Sequence, residues 1–371
     1  MKLCVITHTA HFRTPQGWQA YGPYVREMDL WMKGEVETLI VAPVAKNSPD
    51  AIHQSYANQN ILLKRIPAVS LTNIWELVKT VVYGPWVLWQ IFRAMQKADH
   101  IHLRCPGNIG LAGCVVQLLF PRKKKTAKYA GNWDPNAKQP WSYRLQRRLL
   151  SNTSLTKNMK VLVYGQWPDQ TSNVLPFMTA TYHSHEVAPL VKRDYSQPIR
   201  FLFVGSLSKG KRPKYAVELI HALVRAGISC SLDLYGEGTM RKAIQDYVAV
   251  NGLEDRIRLH GNQTAATVKQ AFKDAHFVVL PSKSEGWPKV LAEGMFWGCI
   301  PIATPVSCVP WMLGEGERGI ILSLNPVMDL NVIKELIADP SVLARMAEAG
   351  HDWSTDYTIE TFQEKIQALI W

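Results

Sequence analysis

The chain of 371 residues is poor in the features that commit a sequence to a membrane, a metal or a disulfide framework. No apolar run reaches the roughly 18 residues a helix needs to cross a bilayer. The six cysteines, Cys4, Cys105, Cys114, Cys230, Cys299 and Cys308, are scattered, and no CxxC pair occurs. Most sit in apolar runs, where a thiol behaves as a small hydrophobe. With no secretion signal they read as reduced thiols of a cytosolic protein. The start MKLCVITHTA has one basic residue, a short apolar stretch and no small-residue cleavage site, so it reads as a strand rather than a leader. No His/Cys cluster has structural-zinc spacing. His183 and His185 in TYHSHE stand two apart without a third ligand nearby and read as loop histidines. Low-complexity segments are missing too.

What is present is a globular composition, 47% hydrophobic and 19% charged, over a length that suits two domains. The net charge of +12 is unevenly placed. Residues 1–195 hold 24 Lys and Arg against 11 Asp and Glu, a balance of +13; residues 196–371 hold 18 against 19, a balance of −1. The basic first half therefore faces something anionic: a phosphorylated lipid, a membrane surface or a nucleic acid.

The second half is the more legible. RFLFVGSLS (200–208) reads as a strand, and PKYAVELIHALVRAG (213–227) as an amphipathic helix with Pro213 at its start and Gly227 at its end. The strands SLDLYG, RIRLHG, HFVVLPS, IPIAT and GIILS follow, alternating with helices from about Thr239 to Val250, around TVKQAFKDA and after Pro288. Continuous apolar strands alternating with helices predict a parallel sheet between helix layers. In the first half LCVIT, TLIVAP, IHLRC, KYAG and VLVYG are strand candidates in a noisier version of the same pattern. The polar run KRDYSQPIR marks the boundary. The expected domains are 1–195 and 196–355, with a helical segment 356–371 packing back on the first. Two doubly wound domains side by side hold their ligand in the cleft between them, outside the carboxyl ends of the strands.

SEGWPKVLAE (284–293) directly follows the strand HFVVLPS. Glu285 and Gly286 then belong to a loop at the carboxyl edge of the sheet. Pro288 suits the first turn of the next helix, where a missing N–H costs nothing, and Glu293 lies further along it. The backbone N–H groups and positive dipole end of a helix start form an anion site. One acid thus stands beside that site and the other lies along the helix.

EGWPKVLAE, a Glu, seven residues and a second Glu, resembles the signature of the retaining glycosyltransferases of family four. That family has the GT-B fold, an α/β architecture of two doubly wound Rossmann-like domains facing across a cleft. GCIPIATPVSCVPWMLGEGERGIIL (298–322) is similar to the run that follows in the family. FVGSLSKGKRPKYAVELIHAL (203–223) resembles its phosphate-binding strand and loop, with Lys211 six residues after Gly205, and LDLYGEG resembles its Gly-x-Gly turn. The likeness covers residues 196–325 and the first domain only in outline. It implies that Glu293 binds the ribose hydroxyls of a nucleotide sugar and that Glu285 contacts hydroxyls of the donor sugar. The backbone of Gly286, Trp287 and Pro288 would lie near the sugar and diphosphate, and Lys211 would neutralise the diphosphate as it leaves. The family commonly has an arginine directly after the strand's glycine. This chain has Ser206, which leaves Lys209 and Arg212 as substitutes.

In the first domain GWQAYGPYVREMDLWM (17–32) puts glycines ahead of a helix. The corresponding loop of the family approaches the donor phosphate, which makes Gly17 a candidate, although the usual paired glycines are absent and an ordinary turn fits as well. KYAGNWDP (128–135) occupies the region where relatives carry a His-Asp pair near the reacting sugar. Here Asn132 and Asp134 are the polar groups, and Asp134 either serves the reaction or caps the next helix. PRKKKTAK (121–128) and RLQRR (144–148) supply much of the basic excess. LTNIWELVKTVVYGPWVLWQIFRAMQK (71–97) combines three tryptophans with sparse lysines. It either lies in a membrane interface or packs under the first sheet, and Gly84-Pro85 should break or kink any helix there.

The resemblance implies transfer of a sugar, of hexosyl type, from a nucleoside diphosphate to a hydroxyl of a glycan or lipid-linked acceptor with retention of configuration. Bacterial surface-polysaccharide biosynthesis is the setting it suggests. The nucleotide sugar is a substrate, so no cofactor is implied, nor a metal. The protein would be cytoplasmic, at the inner face of the membrane through peripheral contact with its anionic surface, and without a nucleic-acid partner. Two other readings stay open on the residues. A nucleotide-sugar epimerase shares the architecture but needs an acid/base pair that is not evident. A nucleic-acid binder would suit the pI of 9.4 but lacks a binding motif.

Overall fold

Runs of Val, Ile, Leu and Phe between turn residues can bury both faces of a strand. In the computed structural model they do so in two compact units, Met1–Phe177 with Gln363–Trp371, and Met178–Phe362. The structure describes every residue except 16, 35, 46, 51, 69–73, 197 and 371, and leaves the side chains of 74–79 undescribed. The start of the tryptophan-rich segment 71–97 therefore lies outside the described residues. The division at 177/178 is not the one read from KRDYSQPIR. The stretch before that run is seated in the second unit, where Arg193 donates to the carbonyls of Phe272 and Trp297 at 2.9 and 2.6 Å and Tyr195 joins the core. The last residues, from Gln363, cluster with the first unit, where Lys33 donates to the Gln363 side chain at 2.8 Å.

The strands of the first unit are β1 (Lys2–Ile6), β2 (His11–Thr14), β3 (Gly17–Tyr21), β4 (Glu37–Pro43), β5 (His53–Ser55), β6 (Ile61–Ile66), β7 (His100–Cys105), β8 (Lys124–Tyr129), β9 (Met159–Tyr164) and β10 (Val174–Phe177). Seven form a parallel sheet in the order β10-β9-β8-β7-β1-β4-β6, while β2, β3 and β5 make a small antiparallel one. The helices are α1 (Gly22–Trp31), α2 (Ile74–Lys97), α3 (Asn108–Val116) and α4 (Trp141–Ser151). Two departures from the sequence reading stand out. Gly17 opens a hairpin strand rather than a turn into a helix; it pairs with Thr14 at a φ of +116° that favours glycine. The helix α2 also runs through Gly84-Pro85 unbroken. Pro85 has no N–H for the carbonyl of Val81, but Val81 is 67% exposed, so solvent can take that place.

Helices α2, α3 and α4 bury Val87, Ile91, Ile109, Cys114 and Leu150 against Ile6, Leu103, Ala127 and Val161 of the sheet. The face of β7 and β8 under α1 is polar instead. His100 and His102 share the Thr126 hydroxyl at 2.9 Å each. Arg104 and Lys128, cross-strand neighbours on β7 and β8, both meet Glu27 of α1, Lys128 at 3.1 Å. The lysine run PRKKKTAK is therefore not simply solvated. The buried Lys125 ammonium donates to Gln117 Oε1 at 2.7 Å and to the Phe120 carbonyl at 3.1 Å, and burial brings it down to about 8. Lys123 closes the end of α2, donating to the carbonyls of Met95, Gln96 and Ala98 at 2.8, 2.7 and 2.5 Å.

The second unit contains β11 (Ile199–Val204), α5 (Pro213–Arg225), β12 (Cys230–Tyr235), α6 (Arg241–Val250), β13 (Ile257–Gly261), α7 (Ala265–Asp274), β14 (Phe277–Leu280), α8 (Lys289–Phe296), β15 (Ile300–Ala303), α9 (Val309–Met312), β16 (Ile320–Ile321), α10 (Pro326–Ile337) and α11 (Pro340–Thr355), and the chain ends in α12 (Ile359–Ile370). Its sheet is parallel, ordered β13-β12-β11-β14-β15-β16. The chain starts in the middle, winds outward through β12 and β13, then returns beside β11 and winds the other way. The inner face of α5 carries Ala216, Val217, Ile220 and Leu223, each large aliphatic contributing about 1.5–3 kcal/mol by burial. Gly227, at a φ of +83°, ends that helix. Phe201 and Phe277 stack at 5.0 Å across β11 and β14.

Candidate functional site

A sheet wound both ways from its middle leaves a crevice where the winding reverses, because the two loops leaving those strands depart to opposite faces. In the second unit the strands concerned are β11 and β14, followed by residues 205–212 and 281–288. The structure ties these loops together. Lys283 N donates to the Gly210 carbonyl at 2.8 Å, and Lys211 Nζ donates to Glu285 Oε1 at 2.6 Å. The Glu285 side chain is 9% exposed and that of Lys211 30%, so the ion pair is set into the protein rather than solvated at a rim.

Local chemistry explains the first loop. Gly205 has a φ of +152° and Arg212, the residue before α5, sits left-handed at +51°. The Ser208 carbonyl accepts from the N–H groups of Lys211 and Arg212 at 3.1 and 3.2 Å. Beneath this loop lies the turn Gly236-Glu237-Gly238. A Cβ on Gly236 would lie 2.0 Å from the Gly205 carbonyl oxygen, and one on Gly238 2.6 Å from that of Leu207. The N–H groups of Gly205 and Leu207 donate to Tyr235 and Glu237 at 2.9 Å each. The Gly-x-Gly turn thus supports the lysine loop by a backbone approach that only glycine allows. Ser206 is exposed with its hydroxyl 3.2 Å from that of Ser208, and Lys209 is exposed in the same loop. The Arg212 guanidinium reaches across to the Pro281 carbonyl at 3.4 Å.

The second loop is pinned by residues that the sequence reading did not single out. Ser307 Oγ and Cys308 Sγ each donate to the Gly286 carbonyl at 3.2 Å, and Thr304 Oγ1 donates to that of Ser282 at 2.5 Å. Burial pushes the Cys308 thiol up to about 12, which keeps it a neutral donor. Their signal was available in TPVSC, a polar cluster at the carboxyl end of β15. Trp287 is buried among Tyr357, Trp311 and Trp353 at ring distances of 5.4, 6.1 and 6.1 Å. Its indole anchors the loop.

Pro288 is the residue before α8 rather than its first, and no side chain caps that helix. Glu293, inside α8, accepts from Thr181 Oγ1 at 2.7 Å. It lines a small pocket with Thr181, Tyr182, Lys289, Phe296 and Tyr357, to which neither Glu285 nor Lys211 contributes. The structure therefore brings Glu285 to Lys211 and gives Glu293 a different partner.

In the first unit Asp134 caps a turn. Its Oδ1 accepts from Asn136 N at 2.8 Å, its N–H donates to Asn132 Oδ1 at 2.9 Å, and its carbonyl accepts from Arg147 at 2.9 Å. It does not cap α4, whose preceding residue is Pro140. In the second unit His183 stacks on His185 at 5.1 Å with its Nδ1 2.7 Å from Glu360 Oε1. That contact, with the Ser184 N–H, holds the Glu360 carboxyl down at about 2.

Two doubly wound parallel sheets, the second with an ion pair at its point of reversal, define a GT-B fold. A sucrose-phosphate synthase from Thermosynechococcus elongatus shares it, at 17% identity and a TM-score of 0.66, over 100% of this chain and 98% of that one. So does HepE of Anabaena, solved with UDP and glucose, at 13% identity and a TM-score of 0.67, over 99% and 98%. At such identities the likeness concerns the fold alone. Sequence takes the second unit further: residues 191–353 match the family of glycosyl transferases group 1. The alpha-D-kanosaminyltransferase of Streptomyces kanamyceticus is 27% identical over 148 residues, 40% of this chain and 38% of that one. The chain spans about half the length of the curated relatives it matches.

Proposed function

We propose that the protein is a retaining glycosyltransferase that moves a hexosyl group from a nucleoside diphosphate to a hydroxyl of a glycan or lipid-linked acceptor, in polysaccharide biosynthesis on the cytoplasmic side of a membrane. The observation that carries this reading is the Lys211–Glu285 pair at the reversal point of a sheet whose sequence matches group 1 glycosyl transferases. As the sugar–oxygen bond breaks, negative charge builds up on the leaving diphosphate. A preorganised ammonium stabilises that charge most in the transition state, so it speeds the reaction rather than only tightening binding. Glu285 holds the ammonium in place and accepts a hydrogen bond from a donor-sugar hydroxyl. Glu293 accepts those of the ribose, as it already does that of Thr181. The acceptor hydroxyl attacks the face that the diphosphate leaves, and a diphosphate oxygen takes its proton, which retains the anomeric configuration. The protein's share is positioning, electrostatics and exclusion of water.

The test is a thermal-shift panel of UDP, GDP, ADP and their sugars on the wild type and on Glu293→Ala. A ligand at a hundred times its dissociation constant stabilises by about 2.7 kcal/mol. One nucleotide series should raise the melting point of the wild type and lose that effect in the variant. A folded wild type indifferent to every nucleotide would overturn the reading. The anomeric configuration of the product, read by NMR, tests retention separately.

A further inference from the structure

Glu293 is half-buried on α8, and the last torsion of a glutamate is soft, so its carboxylate keeps one orientation only if something holds it. Thr181 does so from 112 positions away, its Oγ1 donating to Oε1 at 2.7 Å. The stretch that carries Thr181, residues 178–182, follows β10 and forms neither helix nor strand, yet it is fixed within the second unit. Met178 and Thr179 are buried. The Tyr182 carbonyl accepts from Ile359 N at 2.9 Å, and the Tyr182 ring packs on Phe296 and Trp297 at 4.8 and 5.3 Å. The Thr181 side chain itself is exposed. Its hydrogen bond replaces one to water and so adds little to folding, whereas an acid held in one orientation beside a pocket serves a ligand. Lys289, one turn earlier on α8, lines the same pocket, and Phe296 and Tyr357 wall it. A carboxylate that accepts from hydroxyls and an ammonium that donates to phosphate oxygens, set between rings, suit a sugar phosphate.

We infer that Thr181 is a positioning residue that makes the donor site selective for ribonucleotides. Its hydroxyl turns the Glu293 carboxylate toward the pocket, where the acid accepts from both hydroxyls of a ribose 2′,3′-diol. A 2′-deoxyribonucleotide offers one of those two donors and a dideoxyribonucleotide neither. Thr181 does not shut the ribose out, because each carboxylate oxygen accepts two hydrogen bonds. It touches no reacting atom and acts through Glu293 alone. The inference deepens the donor reading proposed above and rests on it.

The test is calorimetric titration of the full chain with UDP, GDP and ADP and with their 2′,3′-dideoxy counterparts. The wild type should bind one ribonucleotide about a hundredfold more tightly than its dideoxy form, the equivalent of two hydrogen bonds to a carboxylate. Thr181→Val keeps the shape and removes the hydroxyl. It should weaken the ribonucleotide about tenfold and leave the dideoxy form unchanged, while Thr181→Ser restores the wild-type preference. Thr181→Ala takes the place of the valine variant if that one fails to fold. A loss in Thr181→Val that both nucleotide forms share overturns the inference, since it marks a merely structural role. So does unchanged or tighter ribonucleotide binding, or a wild type that does not distinguish the two forms. Each of these leaves the donor reading standing, because a nucleotide still binds. A wild type that binds no nucleotide overturns that reading and this inference together.

Discussion

Removing the Lys211 side chain separates the structural and chemical roles of the ion pair. Two unit charges about 4 Å apart attract by roughly 4 kcal/mol at an effective dielectric constant of about 20. The lysine is 30% exposed, so water recovers much of that, and a net coupling of about 1–2 kcal/mol remains. Lys211→Ala also leaves a carboxylate that is only 9% exposed without its partner. At about 2–4 °C per kcal/mol for a unit of this size, the variant should melt roughly 2–8 °C lower. Turnover should fall further, because deleting one preorganised transition-state contact costs about a hundredfold to a thousandfold, roughly 2.7–4 kcal/mol. The double variant Lys211→Ala/Glu285→Gln sharpens the contrast. With no stranded carboxylate it should regain part of the lost stability but none of the turnover. The assay is single-turnover sugar transfer, with the donor found by the nucleotide panel, run alongside denaturant unfolding of all three proteins. Turnover in Lys211→Ala within about threefold of wild type, or its recovery in the double variant, would refute the reasoning and reduce the pair to a strut.

The two loop glycines should differ. Gly236→Ala puts a Cβ 2.0 Å from the Gly205 carbonyl oxygen, so it should displace the lysine loop and abolish nucleotide stabilisation. Gly205→Ala meets nothing within 4 Å and should cost only the backbone strain of about 1–3 kcal/mol; equal losses in unfolding titrations would contradict the close-approach account. In the first unit, burial alone would raise the Glu27 carboxyl, but Arg104 and Lys128 hold it far below the usual range. Glu27→Gln strands two buried cations and should destabilise by about 3–5 kcal/mol in a denaturant titration; a loss under 1 kcal/mol would show the charges are solvated. Burial lowers His11, His100 and His276 to about 4 and His102 well below its ordinary value. The unfolded chain then binds protons first, so stability is complete above about pH 6.5 and declines as pH falls toward 4. Three of these four lie in the first unit. Amide protection factors, corrected for the intrinsic exchange rate, should therefore fall at pH 5.5 relative to neutral pH more in β7 and β8 than in β12, and a uniform fall would contradict the assignment.

Much of the second unit was legible because its signals are local. Apolar strands, a proline at the start of α5, a glycine after its end and the acids of EGWPKVLAE are each written within a turn or two of chain. The first unit resisted for equally physical reasons. Strand β6, ILLKRI, carries Lys64 and Arg65 at the sheet's edge, and so lacks the continuous apolar run of its neighbours. Gly17 reads as a turn before a helix, and only its pairing with Thr14 makes it a strand. The lysines of PRKKKTAK look alike in sequence, yet one caps α2, another is buried on Gln117 and a third faces Glu27. The same limit applies at the candidate site. Composition and spacing by themselves determined two alternating α/β halves, a basic first half and a motif at a strand end. That Glu285 meets Lys211, 74 positions away, while Glu293 meets Thr181 was decided by tertiary structure alone. An ion pair of that span exists only once β11 and β14 lie side by side, and side-chain partners across a sheet follow from strand order, which no local stretch of sequence encodes.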